Sequence, residues 1–136
     1  MTSLFLDTSY LIALEIVDDQ SHEAALTHWN GRMKAGSYSL VTSSYVLAET
    51  VTYLNNLRLH SKAVDVGNDL VSSRRVDLIH VNEELFYEAW SYFQKHADKT
   101  YSLTDCISFV LMKKLGIMEA LTFDRHFTQA GFVKVP

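Results

Sequence analysis

Two apolar runs in this chain stop on a carboxylate. Ser3-Leu4-Phe5-Leu6 runs into Asp7, and Leu121-Thr122-Phe123 runs into Asp124. An ionised acid at the end of a buried strand is costly unless a cation or a set of donors meets it. Between these runs, the stretch from Tyr101 to Phe127 opens with a helical segment carrying Asp105 in its first turn. A fold that sets the two strands side by side sends all three acids toward one pocket. That requirement constrains the architecture more than any property of the composition.

The remaining pattern alternates strands and helices. Thr8 or Ser9 caps a short helix through about Val17, and Asp18-Asp19-Gln20-Ser21 breaks it. His22, Ala25, Leu26, Trp29 and Met33 then recur at helical spacing up to Gly36. Ser39-Leu40-Val41-Thr42 reads as a second strand, with Ser43 or Ser44 capping the helix after it. On that helix Val46, Leu47, Thr50, Val51, Leu54 and Leu57 form an apolar stripe, and Glu49 projects about 60° from Val46, just outside its edge. A helix over Ser61 to Ser73 turns Ala63, Val66, Leu70 and Val71 inward, and Val76 to Val81 is a third strand.

Asn82 caps a helix with Phe86, Ala89, Trp90, Phe93 and Ala97 on one side. The Asp105 helix is apolar nearly all round, so it packs on several sides, and Gly116 suits its left-handed end. Leu121 to Phe123 and Phe132 to Val135 supply two more strands. Strands alternating with helices imply an α/β fold, a three-layer α/β/α sandwich around a mainly parallel sheet of about five strands. In such sheets ligands bind beyond the carboxyl ends of the strands, where Asp7 and Asp124 stand.

At 136 residues the chain is expected to be one domain over 1–136. No apolar run reaches bilayer length and no basic-then-apolar leader opens the sequence, which points to a cytoplasmic protein without membrane contact. The single cysteine, Cys106, falls among apolar residues and reads as a buried structural thiol. The net charge of -4 lacks the basic excess of most nucleic-acid binders. If Asp7, Glu49, Asp105 and Asp124 share a pocket with metal, however, the other twelve acids balance the twelve Lys and Arg.

Converging carboxylates repel one another and raise their own pKa values unless a cation compensates. Hard oxygen donors select Mg²⁺ or Mn²⁺ over zinc, and such ions suit phosphate substrates. Two ions about 4 Å apart can activate water and stabilise the departing oxygen of a phosphodiester. Each acid also has a purely structural reading. Ser102-Leu103-Thr104-Asp105 matches a capping box, Asp7 can cap a helix, Asp124 can pair with Arg125 in a turn, and Glu49 can sit solvated on a helix flank.

Asp7-Thr8-Ser9 after a strand, Glu49 in Ala-Glu-Thr, Thr104-Asp105 and Leu121-Thr122-Phe123-Asp124-Arg125 together resemble the PIN-domain nucleases, and most of all the VapC toxins of toxin–antitoxin pairs. The similarity runs through essentially the whole chain, and the block from Thr104 to Phe132 is its most specific part. The resemblance implies a metal-dependent endoribonuclease with Asp7 and Asp105 as principal Mg²⁺ or Mn²⁺ ligands. Glu49 and Asp124 would complete the acidic cluster, and Thr8 and Thr104 would orient the carboxylates through their hydroxyls. It further implies a homodimer and a cognate VapB-type antitoxin whose C-terminal segment covers the groove. An antitoxin Arg there would compete with metal, because a guanidinium forks onto carboxylates.

Arg58, His60, Lys62, Arg74-Arg75, Lys113-Lys114 and Arg125-His126 are candidate phosphate contacts, with Arg125 and His126 favoured because they adjoin Asp124. Tyr38, Tyr45, Tyr53 and Tyr101 are candidate stacking surfaces for single-stranded bases, or core and interface residues. An aspartyl phosphatase would need a second Asp two residues after the first, where Ser9 stands. Serine hydrolase and P-loop motifs are absent. The alternatives are a PIN-domain RNA-processing nuclease without a toxin role, or a module that binds RNA or protein without cutting.

Overall fold

A computed structural model describes residues 2–136 of the chain. Five strands, β1 (Ser3–Leu6), β2 (Ser39–Ser43), β3 (Val76–Ile79), β4 (Glu119–Leu121) and β5 (Val133–Val135), form one sheet in the order β3-β2-β1-β4-β5. Every neighbouring pair is parallel. The central strand β1 is buried from Leu4 to Leu6, as an all-parallel sheet covered on both faces demands. The order reverses at β1, with β2 to one side and β4 to the other. This is the switch point at which open α/β sheets leave a crevice.

The helices are α1 (Thr8–Glu15), α2 (His22–His28), α3 (Ser44–Asn56), α4 (His60–Ser72), α5 (Glu83–Lys95), α6 (Leu103–Leu115) and α7 (His126–Gln129). Asp7, rather than Thr8 or Ser9, is the N-cap of α1, and it accepts a hydrogen bond from Ser9 N. Ser43 and Asn82 cap α3 and α5 as expected. The capping box of Ser102 and Asp105 forms in full at α6. Gly116 ends α6 with a φ of 69°, a conformation that favours glycine.

Four expectations shift. The helix from His22 to Met33 is not uniform, because a π-helical turn over Trp29–Met33 follows α2 and Lys34 N–H reaches Trp29 O. β4 stops at Leu121, so Thr122 and Phe123 lie beyond the ladder. Their groups are claimed elsewhere: Thr122 N bonds Val135 O, and Phe123 N bonds Ser9 Oγ. On α5 the buried stripe is Leu85 and Ala89, whereas Trp90 and Phe93 are exposed and stacked on each other. Val71, expected inward on α4, is 66% exposed.

Helix α6 crosses the centre of the molecule, with Cys106, Ile107, Phe109, Leu111 and Met112 all buried. Cys106 is a free buried thiol whose pKa burial pushes up to about 11, the inert type anticipated. Phe109 meets Phe127, Tyr101, Tyr92 and Phe132 in one aromatic cluster. Tyr101 is therefore a core residue, not a free stacking surface. This cluster fixes α6 against α7 and so sets Asp105 relative to Asp124.

Candidate metal centre

Three sequence-distant acids converge where β1 and β4 end. Asp7 is only 4% exposed and Asp105 only 8%, while Asp124 is half-buried. Asp7 caps α1 and Asp105 occupies the first turn of α6. Both carboxylates therefore lie at helix N-termini, where partial positive charge offsets part of their cost. The structural and functional readings of these acids are compatible, since one carboxylate has two oxygens.

Asp7 Oδ2 accepts from Ser9 N at 3.3 Å, from Ser9 Oγ at 2.7 Å and from Thr122 Oγ1 at 2.7 Å. Asp105 Oδ2 accepts from Ser102 N at 3.0 Å and stands 3.0 Å from His126 Nδ1. Asp124 Oδ1 accepts from His126 N at 2.9 Å and lies 3.4 Å from His126 Nδ1. Asp124 is thus a turn residue, and its partner is His126. In each acid the hydrogen bonds from the protein fall on one oxygen.

The electrostatics follow from this crowding. Burial pushes the Asp7 carboxyl up to about 6, against the hydrogen bonds of Ser9 and Thr122, and the charges of Asp105 and Asp124 raise it further. Asp105 is raised by burial and by Asp124, while Ser102 and His126 oppose the rise. Negative charge that the fold holds at a cost is charge that a divalent cation would compensate. The hard-oxygen donor set fits Mg²⁺ or Mn²⁺. Thr8 Oγ1, beside Asp7 in the chain, is buried with no partner in the protein.

The supporting hydroxyls differ from those expected. Among the described residues Thr8 Oγ1 has no hydrogen-bond partner, and Asp7 Oδ2 is held by Ser9 and Thr122 instead. Thr104 supplies its backbone carbonyl to Ser108 Oγ, and Asp105 is oriented by Ser102 and His126 instead. Among the described residues the acids and imidazole whose ligand atoms lie within 4.8 Å of one another are Asp105, Asp124 and His126; Asp7 and the exposed Glu49 of α3 stand outside that group. Arg125 is exposed next to the site, and His126 is inside it.

Thr122 is the hub that sequence reading missed. Its hydroxyl donates to Asp7 Oδ2, accepts from Asp124 N at 3.0 Å and lies 3.0 Å from Ser9 Oγ. It therefore ties β1, α1 and the segment after β4 into one unit. Thr122→Val keeps the shape and removes the hydroxyl. We expect it to raise the Asp7 pKa further and to reduce activity about tenfold or more, as loss of an outer-shell partner does. Carboxyl titration by NMR beside a cleavage assay checks both effects.

The family model described as PIN domain matches residues 4–133. The chain belongs to the PIN-domain family. Within it, this PIN domain is 36% identical over 132 residues to the 23S rRNA-specific endonuclease VapC20 of Mycobacterium tuberculosis, covering 97% of each chain. The crystal structure of that VapC20, a sarcin-ricin loop cleaving toxin, superposes with a TM-score of 0.87, covering 97% of this chain and 98% of the other. FitAcB from Neisseria gonorrhoeae, at 16% identity and a TM-score of 0.64, shares the fold, covering 98% and 96% of the two chains. Among the described residues no helix is long and apolar enough to cross a membrane.

Proposed function

We propose that this PIN domain is a divalent-metal-dependent endoribonuclease and the toxin of a type II VapBC pair. The observation that carries the reading is the convergence of Asp7, Asp105 and Asp124, two of them with pKa values raised by burial and mutual charge. Asp7 and Asp105 would hold Mg²⁺ or Mn²⁺, with Asp124 beside them. Glu49 would enter through solvent or on substrate binding. When bound, such an ion supplies positive charge to the phosphate oxygens and eases the deprotonation of water.

The chain's own residues do the rest. Ser9, Thr122 and Ser102 fix the carboxylates in place, so little reorganisation is needed when charge develops. Exposed Arg125, one residue from Asp124, is set to meet an RNA phosphate. Hydrolysis that does not use the 2′-hydroxyl leaves 5′-phosphate and 3′-hydroxyl ends. Similarity to VapC20 along nearly the whole chain supports a structured ribosomal RNA loop as the substrate class.

An apolar cleft of about 470 Å³ lies against α1, α2 and α4, lined in part by Leu11, Leu14, Leu26, Trp29 and Leu70. It offers a seat for an antitoxin segment. Exposed Tyr53 on α3 and Leu57 at its C-terminal cap, with Tyr87 and Trp90 on α5, supply apolar area for a homodimer. An RNA substrate and an antitoxin partner go with a cytoplasmic location.

The test is cleavage of a defined RNA panel, including a 23S rRNA fragment bearing the sarcin-ricin loop, with Mn²⁺ or Mg²⁺. We expect discrete products that EDTA abolishes and added metal restores. Asp105→Asn is expected to lose activity by about 10²-fold or more. Cleavage that persists in EDTA would overturn the reading. So would RNA binding without cleavage at any metal concentration.

A further inference from the structure

We propose that His126 is a direct ligand of the divalent ion through Nδ1, making the centre a mixed nitrogen–oxygen site that favours Mn²⁺ over Mg²⁺. This rests on the metal-dependent reading above and adds a nitrogen to a ligand set otherwise made of carboxylates. The argument begins with distances. His126 Nδ1 lies 3.0 Å from Asp105 Oδ2 and 3.4 Å from Asp124 Oδ1. The ligand atoms offered by these three residues all lie within 4.8 Å of one another. Neighbouring corners of an octahedron with bonds of about 2.1–2.4 Å stand roughly 3.0–3.4 Å apart. Both separations match adjacent corners around one ion.

The ring is also held as a ligand needs to be. Its backbone N–H is bonded to Asp124 Oδ1, and the ring meets Tyr101 edge-on at 5.3 Å and 76°. The far nitrogen, Nε2, lies 3.0 Å from Thr100 Oγ1. With Nε2–H donating to that hydroxyl, Nδ1 turns a lone pair toward two carboxylate oxygens. Three acceptors then face one point, an arrangement that a cation completes. A metal-bound histidine characteristically donates its other N–H to a neighbour in this way.

The selectivity follows from ligand chemistry. Magnesium binds oxygen and sheds water reluctantly, whereas first-row transition ions accept imidazole readily. The carboxylates serve either ion, and the imidazole adds affinity for Mn²⁺ alone. The rival arrangement puts the proton on Nδ1, so that His126 merely orients Asp105 by a hydrogen bond. It has the same distances and a different spectroscopic consequence.

The test is electron spin-echo modulation of the Mn²⁺-loaded protein, with Mn²⁺ and Mg²⁺ affinities measured by calorimetry. We expect the nitrogen modulation of directly coordinated imidazole in the native protein. It should change to the ¹⁵N pattern when only histidine is ¹⁵N-labelled, a result that needs no variant. In His126→Gln the modulation should vanish, and Mn²⁺ affinity should fall about tenfold or more with a smaller change for Mg²⁺. Bound Mn²⁺ without nitrogen modulation would overturn the proposal and leave the carboxylate site standing. Modulation that survives in His126→Gln would overturn it too. Failure to bind Mn²⁺ at all would instead overturn the metal-dependent reading beneath it.

Discussion

Asp7→Asn is expected to abolish cleavage while making the metal-free protein more stable. The variant keeps the size of the side chain and an oxygen that accepts from Ser9 and Thr122. It removes a charge that the folded protein holds at a loss. The carboxyl moves from its ordinary 3.8 to about 6 on folding, which corresponds to about 3 kcal/mol of destabilisation at neutral pH.

The direction with pH follows from which state holds the proton. Below pH ~4 both native and unfolded chains keep the Asp7 proton and the cost is absent. Between the unfolded pKa of 3.8 and the folded value of about 6, the unfolded chain has released its proton and the native one has not. Stability therefore falls as pH rises through that window and stays low above it. Asp105 contributes in the same sense, since burial raises it as well. At pH ~7.5 in EDTA we expect the melting temperature of Asp7→Asn to rise by roughly 3–10 °C, with a flatter profile between pH ~4 and 6. Added Mn²⁺ should stabilise the native protein far more than the variant. Thermal melts across pH, with and without metal, check each part.

Arg75→Ala is expected to have the largest destabilising effect among the basic-residue substitutions, and without acting on RNA. In sequence Arg74-Arg75 reads as a candidate phosphate contact. In the structure the Arg75 guanidinium donates to the carbonyls of Tyr38, Lys34 and Met33, and it lies over the Trp29 ring at 5.6 Å. A cation at the carbonyl end of a helical segment is favourable, and only a planar fork reaches three acceptors at once. It fastens the start of β3 to the end of the π-helical turn and to the residue before β2. Losing these charge-assisted bonds costs about 2–3 kcal/mol, or a fall in melting temperature of roughly 6–12 °C. Arg75→Lys should recover less than half. Below its melting temperature Arg75→Ala should cleave RNA with an unchanged salt dependence, whereas loss of a phosphate contact would flatten the salt slope.

Features written in neighbouring residues were legible from the chain alone. Ser102 and Asp105 are three apart, Asn82 precedes its helix, Gly116 follows one, and strands stopping at Asp7 and near Asp124 carry their periodicity openly. From these came the parallel sheet and the expectation of a site beyond the carboxyl ends of its strands. What escaped was non-local. Ser9, Thr122 and Asp7 form one hydrogen-bonded unit across more than a hundred residues, and no local pattern marks Thr122 as its centre.

The α5 error has a similar origin. Ala89 is buried as expected, and Phe86-Trp90-Phe93 and Leu85-Tyr92 are equally good companions for it at helical spacing. The packing of α5 on α6 selects the second, and periodicity does not contain that information. Glu49 is a subtler case. Its place at the edge of the α3 stripe leaves the side chain exposed.

Anomalous scattering from crystals soaked in Mn²⁺ tests the central claim most directly. A peak within about 2.1–2.4 Å of oxygens from Asp7, Asp105 or Asp124, bridging at least two of these residues, is the predicted result. Density empty of metal at saturating Mn²⁺, or a peak that touches none of the three, would contradict it.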